Sequence, residues 1–227
     1  MDKEIGGKLD QFFAKYKLVS FKKKSTIIFL ADEPDGVYYL KEGFVKMNTI
    51  LANGNELILN IYKPGSYFPM FWALGEVPNN YGFETITNVK LYRAPRKDII
   101  EFLKANQEVS FNLIKRILSG VDGLLTNYNH LLVGNSNSRV ASALLIASKR
   151  FGVPTNDAKL LINIKLTHQD IANLAGISRE TASIAIERLL KRKIIEQRKR
   201  SFVILDTELL TNETAMDGED ISSPTIL

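Results

Sequence analysis

The residues of this chain whose types and spacing fit a chemical task lie between Leu166 and Ile195, in LTHQDIANLAGISRETASIAIERLLKRKII. Ala182, Ala185, Ile186, Leu189 and Leu190 recur at helical spacing and predict a buried face. Arg179, Glu180, Ser183, Ile184 and Glu187 fall on the opposite face. A helix face that opens on Arg and Glu can present hydrogen-bonding groups to base edges and phosphates. Catalysis has less to work with. The 227 residues include no Cys and only two His, His130 and His168. Disulfides, thiolate-held iron–sulfur clusters, Cys-ligated zinc and Cys nucleophiles are therefore excluded. No nucleophile–base constellation, zinc spacing or phosphate-binding glycine loop stands in the sequence, and the chain reads as a protein that is not an enzyme.

A polar stripe of this kind needs a helix held against a second one, and the flanking residues supply both. Thr167 is a helix N-cap followed three residues later by Asp170, so a short helix starts there. It ends near Ala175-Gly176, because Gly tolerates the left-handed conformation that closes a helix; Ser178 then caps a second helix with Thr181 at its third position. A short helix, a Gly-containing turn and a second helix with a polar start form the helix-turn-helix pattern, whose second helix enters the major groove. KRKIIEQRKRSFVILD follows as two short strands joined by a basic turn at Arg198 to Ser201, a wing. Residues 165–200 hold nine Lys and Arg against four Asp and Glu, whereas residues 201–227 hold none against six. A basic segment coinciding with a helix-turn-helix is what phosphate neutralisation requires.

The rest of the chain reads as the elements that carry this motif. Residues 3–16 predict an amphipathic helix with Ile5, Leu9, Phe12, Phe13 and Tyr16 on one side. From Leu18 to about Arg93, runs rich in β-branched and aromatic residues alternate with turn signals such as Pro34-Asp35-Gly36, Asn53-Gly54 and Pro64-Gly65, the pattern of a compact β-barrel or β-roll. Helical pattern returns in RKDIIEFLKAN and again from about Gln107 to Val133. There Ile114, Leu118, Val121, Leu125, Tyr128 and Leu132 are spaced 4-3-4-3-4 as a heptad seam. The seam calls for a facing surface, either the β-domain or a symmetry-related copy; the copy is favoured because two-fold dimers are the commonest oligomers. Gly120 and Gly123 count against it, at about 1 kcal/mol each in helix propensity. Asn135 to Ser138 reads as a hinge, SRVASALLIASKRFG as a helix, VPTNDAK as a loop and LLINIKL as a short strand. The terminal TNETAMDGEDISSPTIL is polar and aperiodic and is expected to be disordered. No apolar run approaches the ~20 residues of a membrane span and MDKEIGGKLD lacks a signal-peptide core, so the expected location is the cytoplasm.

This order of elements resembles the cyclic-AMP receptor protein/FNR (Crp/Fnr) superfamily of bacterial transcription regulators over about residues 10–206. The helix-turn-helix and wing carry the most specific part of the likeness, and GVYYLKEGFVKM, NGNELIL, YKPGSYF and ETITNVKLYRAPRKDI match the family's roll with turn glycines at Gly43, Gly54 and Gly65. The resemblance implies an α+β fold: a cyclic-nucleotide-binding-like β-roll (cupin-like) over 1–106, a dimerisation helix over 107–134, a hinge at 135–138, a winged helix-turn-helix over 139–206 and an acidic, disordered tail over 207–227. It further implies that Thr167, Gln169, Ser178 and Thr181, with Lys199 and Arg200 of the wing, hold DNA phosphates. Arg179 and Glu180 match base-reading positions, suited to guanine O6/N7 and cytosine N4, and Ser183 and Ile184 lie on the same stripe. Many members carry a second Arg where this chain has Ile184, which can pack on a thymine methyl but cannot donate to guanine.

The sensor region departs further from the family. Where the family's nucleotide cassette places Gly-Glu and then Arg-Ser, this chain has Pro69-Met70 and Tyr81-Gly82, with no Arg or Lys between Tyr67 and Val89. A cyclic phosphate buried there would lack compensation, which argues against cyclic AMP. Haem would need an axial ligand, and an isolated His130 or His168 is more often structural. The region around Gly65, Phe68, Trp72, Tyr81 and Gly82 is thus a weak effector pocket, open to an apolar ligand or filled by its own side chains, with the filled state favoured. No cofactor is predicted. Double-stranded DNA and a second copy of the chain are the expected partners, with RNA polymerase and a small-molecule effector as further candidates. The alternative function is a ligand-sensing β-roll subunit that controls a partner enzyme, which leaves the polar stripe and basic wing unexplained.

Overall fold

The computed structural model describes residues 3–155, 157, 159–198 and 201–214. The first half comprises α1 (Lys3–Phe13), β1 (Leu18–Phe21), β2 (Thr26–Ile28), β3 (Val37–Glu42), β4 (Val45–Ile50), β5 (Glu56–Tyr62), β6 (Tyr67–Phe68), α2 (Met70–Gly75), β7 (Gly82–Thr85) and β8 (Val89–Ala94). Then come α3 (Arg96–Ala105) and the long α4 (Gln107–Val133), which runs through Gly120 and Gly123 unbroken. The second half comprises α5 (Ser136–Phe151), β9 (Gly152–Pro154), β10 (Leu160–Ile162), α6 (His168–Ala175), α7 (Arg179–Lys191), β11 (Ile195–Arg198), β12 (Ser201–Ile204) and α8 (Thr207–Asn212). The described residues pack as two compact units, one of residues 3–49 with 59–118, the other of residues 50–58 with the described residues of 119–214.

Eight strands form two four-stranded sheets, in the orders β1-β8-β3-β6 and β2-β7-β4-β5. Strand β3 shows how the sequence builds both faces. Val37, Tyr38, Tyr39 and Leu40 are all buried, because successive side chains point to opposite sides and both sides are covered. Tyr38 and Leu40 join Met47, Phe68, Phe83 and Leu91 in one cluster. Val37 and Tyr39 join Leu9, Phe13, Ile99, Leu103 and Leu113, contributed by α1, α3 and α4, in another. The Phe13 and Tyr39 rings stack at 4.7 Å, and Tyr39 donates its hydroxyl hydrogen to Asp10 at 2.9 Å, so its polar end is satisfied where its ring is buried.

The second unit is built on α5, whose Val140, Ala141, Leu144, Leu145 and Phe151 are buried. Around it lie α6, α7 and a sheet of order β11-β12-β10-β9. Residues 135–138, where a hinge is expected, form the N-cap and first turn of α5: the Asn135 side chain accepts from the N–H groups of Asn137 and Ser138 at 3.0 and 3.1 Å. Three expectations need correcting. β9 forms within the expected loop because Val153 pairs with Leu161. α2 lies within the stretch read as strands and turns, a six-residue helix too short to show a period. The expected tail from 207 opens with α8, where the Asp206 side chain caps Leu209 N–H at 2.8 Å and Leu210 is fully buried, packed against α5. A single buried leucine among polar residues carries no periodicity. The remainder of that segment, from 215, lies outside the described residues.

Candidate nucleic-acid interface

α6 starts with a complete capping box. The Thr167 hydroxyl accepts from Asp170 N–H at 3.1 Å, and the Asp170 carboxylate accepts from Thr167 N–H at 2.7 Å. Such a cap is worth about 1 kcal/mol. The turn closes on Gly176 at φ 63° and ψ 35°, a left-handed conformation that glycine takes without a Cβ penalty. Ser178 then caps α7 by accepting from Thr181 N–H at 3.2 Å. Ala182, Ala185, Ile186 and Leu189 are buried as the spacing predicts, while Leu190 is only half-buried. The opposite face is open: Arg179, Glu180 and Glu187 are exposed, and Ile184 stands out at 70% exposure.

The proposed phosphate-holding groups cluster at the two helix starts, Thr167 and Gln169 on α6, Ser178 and Thr181 on α7. Gln169 is meanwhile tied to Asn173 on its own helix, its amide donating at 2.7 Å. The Glu180 carboxylate has its pKa pulled below the ordinary range, first by its own backbone N–H and then by the Ser178 hydroxyl, so in the free protein it sits as an anion on the α7 N-terminus. Lys199 and Arg200 lie outside the described residues.

Two features of this surface were not foreseen. Ser183, grouped with the base readers, is half-buried and its hydroxyl lies 2.9 Å from His168 Nδ1, while the His168 ring stacks beside Phe202 at 6.2 Å. His168 thus links α6, α7 and the wing; no spacing rule places residues fifteen apart in contact across a turn. At the other end of α7, Arg188 and Arg192 both pair with Glu213, which follows α8 and is only 15% exposed in its side chain.

The residues of the weak effector pocket take different places in the roll. Phe68 is fully buried, with the Tyr62 and Phe83 rings each at 4.9 Å, and Gly82 is buried in β7 opposite Asn48 of β4. Gly65 is a left-handed turn residue at φ 87°. Trp72 and Tyr81 do share a cavity, of about 140 Å³ and flanked by Pro69 and Met70. Trp72 also lies under the Arg96 guanidinium at 5.4 Å. His168 is engaged as described, and the side chain of His130 lies outside the described set. No described helix is long and apolar enough to cross a membrane.

An eight-stranded roll followed by a long helix and a winged helix-turn-helix is the architecture of a DNA-binding regulator with an N-terminal sensor-type domain. The comparisons with known proteins agree. Residues 18–106 match the cyclic nucleotide-binding domain family and residues 138–213 the Crp-like helix-turn-helix domain family, the latter taking in α8. The global nitrogen regulator of Nostoc sp. is 29% identical over 82% of this chain and 83% of its own length. The CRP-like cAMP-activated global transcriptional regulator of Mycobacterium tuberculosis is 28% identical over 85% of each. Among solved structures, FixK2 from Bradyrhizobium japonicum superposes with a TM-score of 0.74 at 22% identity, over 89% of this chain and 98% of that one, a likeness of fold. The chain belongs to the Crp/Fnr superfamily, and it is a DNA-binding transcription regulator of that superfamily rather than an enzyme.

Proposed function

We propose that the protein acts in the cytoplasm as a homodimer on a pseudo-palindromic operator and that cyclic AMP does not control it. The observation that carries this reading is the seam of α4. Ile114, Leu118, Val121, Leu125, Tyr128 and Leu132 are all exposed, between 40% and 63%, so the chain's own β-domain does not cover them. Phe111, 59% exposed, extends the same 3-4 spacing by one step. A contiguous apolar stripe of this length on one helix fits a second copy of the same helix. Two-fold symmetry then presents two α7 helices about one DNA turn apart, ~34 Å. Arg179 and Glu180 read bases, Ile184 packs on a thymine methyl, and Thr167, Gln169, Ser178, Thr181, Lys199 and Arg200 hold the backbone. Ser183 supports the stripe through His168 rather than reading a base.

The case against cyclic AMP is chemical. Pro69-Met70 and Tyr81-Gly82 stand where the family places its phosphate ligands, and the Phe68 ring stack occupies the interior beside them. Haem and an iron–sulfur cluster have no part in this reading. Selection of bound duplexes from a random pool at ~150 mM salt, without added ligand, tests it. A palindromic motif, bound equally with and without cyclic AMP, is expected. Enrichment only in the presence of cyclic AMP, or of a non-palindromic motif by a monomer, would overturn it.

A further inference from the structure

The C-terminal half of α7 carries two arginines on one flank, Arg188 and Arg192, four residues and so one helical turn apart. Arg188 itself follows Ile184 by four residues, which sets it beside the exposed stripe and one turn further along. On a helix lying in the major groove, an arginine so placed reaches the phosphates that wall the groove. Contacts of that kind add affinity and salt dependence but carry no sequence information.

In this chain a carboxylate already engages both guanidinium groups. Glu213 Oε2 lies 3.6 Å from Arg188 Nη2, and its Oε1 accepts from Arg192 Nη1. The Glu213 side chain is 15% exposed against 50% and 45% for the two arginines, so the carboxylate is the partner withdrawn from water. The fold holds it there. α8 starts on the Asp206 cap and packs its buried Leu210 against α5, and beyond it the Glu213 N–H donates to the Leu209 and Leu210 carbonyls at 3.2 Å. All of these residues belong to one compact unit. Carboxylate and phosphate take the same guanidinium fork. An exposed ion pair yields easily to a competing anion, whereas a carboxylate shared by two arginines and mostly out of water is harder to displace.

We infer that Glu213 is an intramolecular phosphate mimic that keeps Arg188 and Arg192 off the DNA backbone and so lowers affinity for every duplex alike. The effect on DNA rests on the proposed placement of α7 in the groove; the masking of the two arginines does not.

The full-length Glu213→Gln protein, titrated with duplexes of about 30 bp and several unrelated sequences over ~50–200 mM salt, tests the inference. It should bind each duplex at least about fivefold more tightly than the wild type at ~100 mM salt, with the slope of log affinity against log salt steeper by roughly 2. Glu208→Gln removes the same charge from an exposed position on α8 and should change affinity by less than about twofold. Adding Arg188→Gln and Arg192→Gln to Glu213→Gln should cancel the gain. Glu213→Ala repeats the test with a second side chain, and urea midpoints report folding. A lower midpoint with unchanged affinity and slope would make the contact a clamp for α8 and overturn the inference. A gain equalled by Glu208→Gln, surviving the loss of both arginines, or confined to one sequence would also overturn it. Retention on heparin separates the two ways of failing, because it reports freed cations without a groove. Unchanged retention of Glu213→Gln would overturn the masking itself; stronger retention with unchanged duplex affinity would overturn the inference through the placement of α7.

Discussion

Ile184 is where residue chemistry bears most directly on what the protein reads. Its 70% exposure places a bare aliphatic side chain on the stripe proposed to face the groove, one turn beyond Glu180. Ile184→Arg should create a preference for guanine at the facing base pair of about 1–3 kcal/mol, checked by competition between operators that differ at that position. The His168–Ser183 contact is the second residue-scale feature. His168→Ala and Ser183→Ala should each cost about 0.5–1.5 kcal/mol of stability. Because both remove one interaction, the double substitution should cost clearly less than their sum in a denaturant cycle; full additivity would show that the pair does not couple.

At the scale of elements, α4 and α1 make different demands. The seam of α4 is apolar and exposed, so Leu118→Asp with Leu125→Asp should shift sedimentation from dimer to monomer and weaken operator binding while leaving the roll folded. α1 is held to α3 partly through Tyr16, which donates to Asp98 at 2.9 Å. Burial first, and that bond second, push the Tyr16 hydroxyl up to about 12. A pKa raised on folding favours the native state fully below the unfolded value, near 10, and this contribution is lost as pH rises from there towards 12. Urea midpoints should therefore fall between pH 9 and pH 11 by less in Tyr16→Phe than in the wild type. Tyr39, raised in the same direction by burial and by Asp10, keeps part of the alkaline decline in both proteins.

At the scale of the whole molecule, the formal charge of +5 matters through its placement. Nine basic residues fall within 165–200 of the sequence, and two of them, Arg188 and Arg192, are already engaged by Glu213. On the proposed reading, phosphate binding then rests on the helix starts and the wing. Replacing Lys199 and Arg200 together by Ala should weaken binding about equally for all sequences and reduce the slope of log affinity against log salt by roughly 2. A change confined to one sequence would mean that the wing reads bases.

How much was legible in the sequence follows from the range of the forces involved. Thr167, Gly176, Ser178 and the heptad of α4 announce themselves because caps, turns and helical periodicity act between neighbours in sequence; the helix-turn-helix, the wing strands and the long helix follow from them. The roll was legible as strands and turn glycines for the same reason. Only the tertiary structure decided what packs against those elements. It packed Phe68 and Gly82 into the interior of the roll, set His168 against Ser183, made a helix of residues 207–212 around one buried leucine, and brought Arg116 to Tyr67, 49 positions away in the chain. Contacts between distant segments depend on where whole surfaces meet, and that is set by the packing of the complete core rather than by any local pattern.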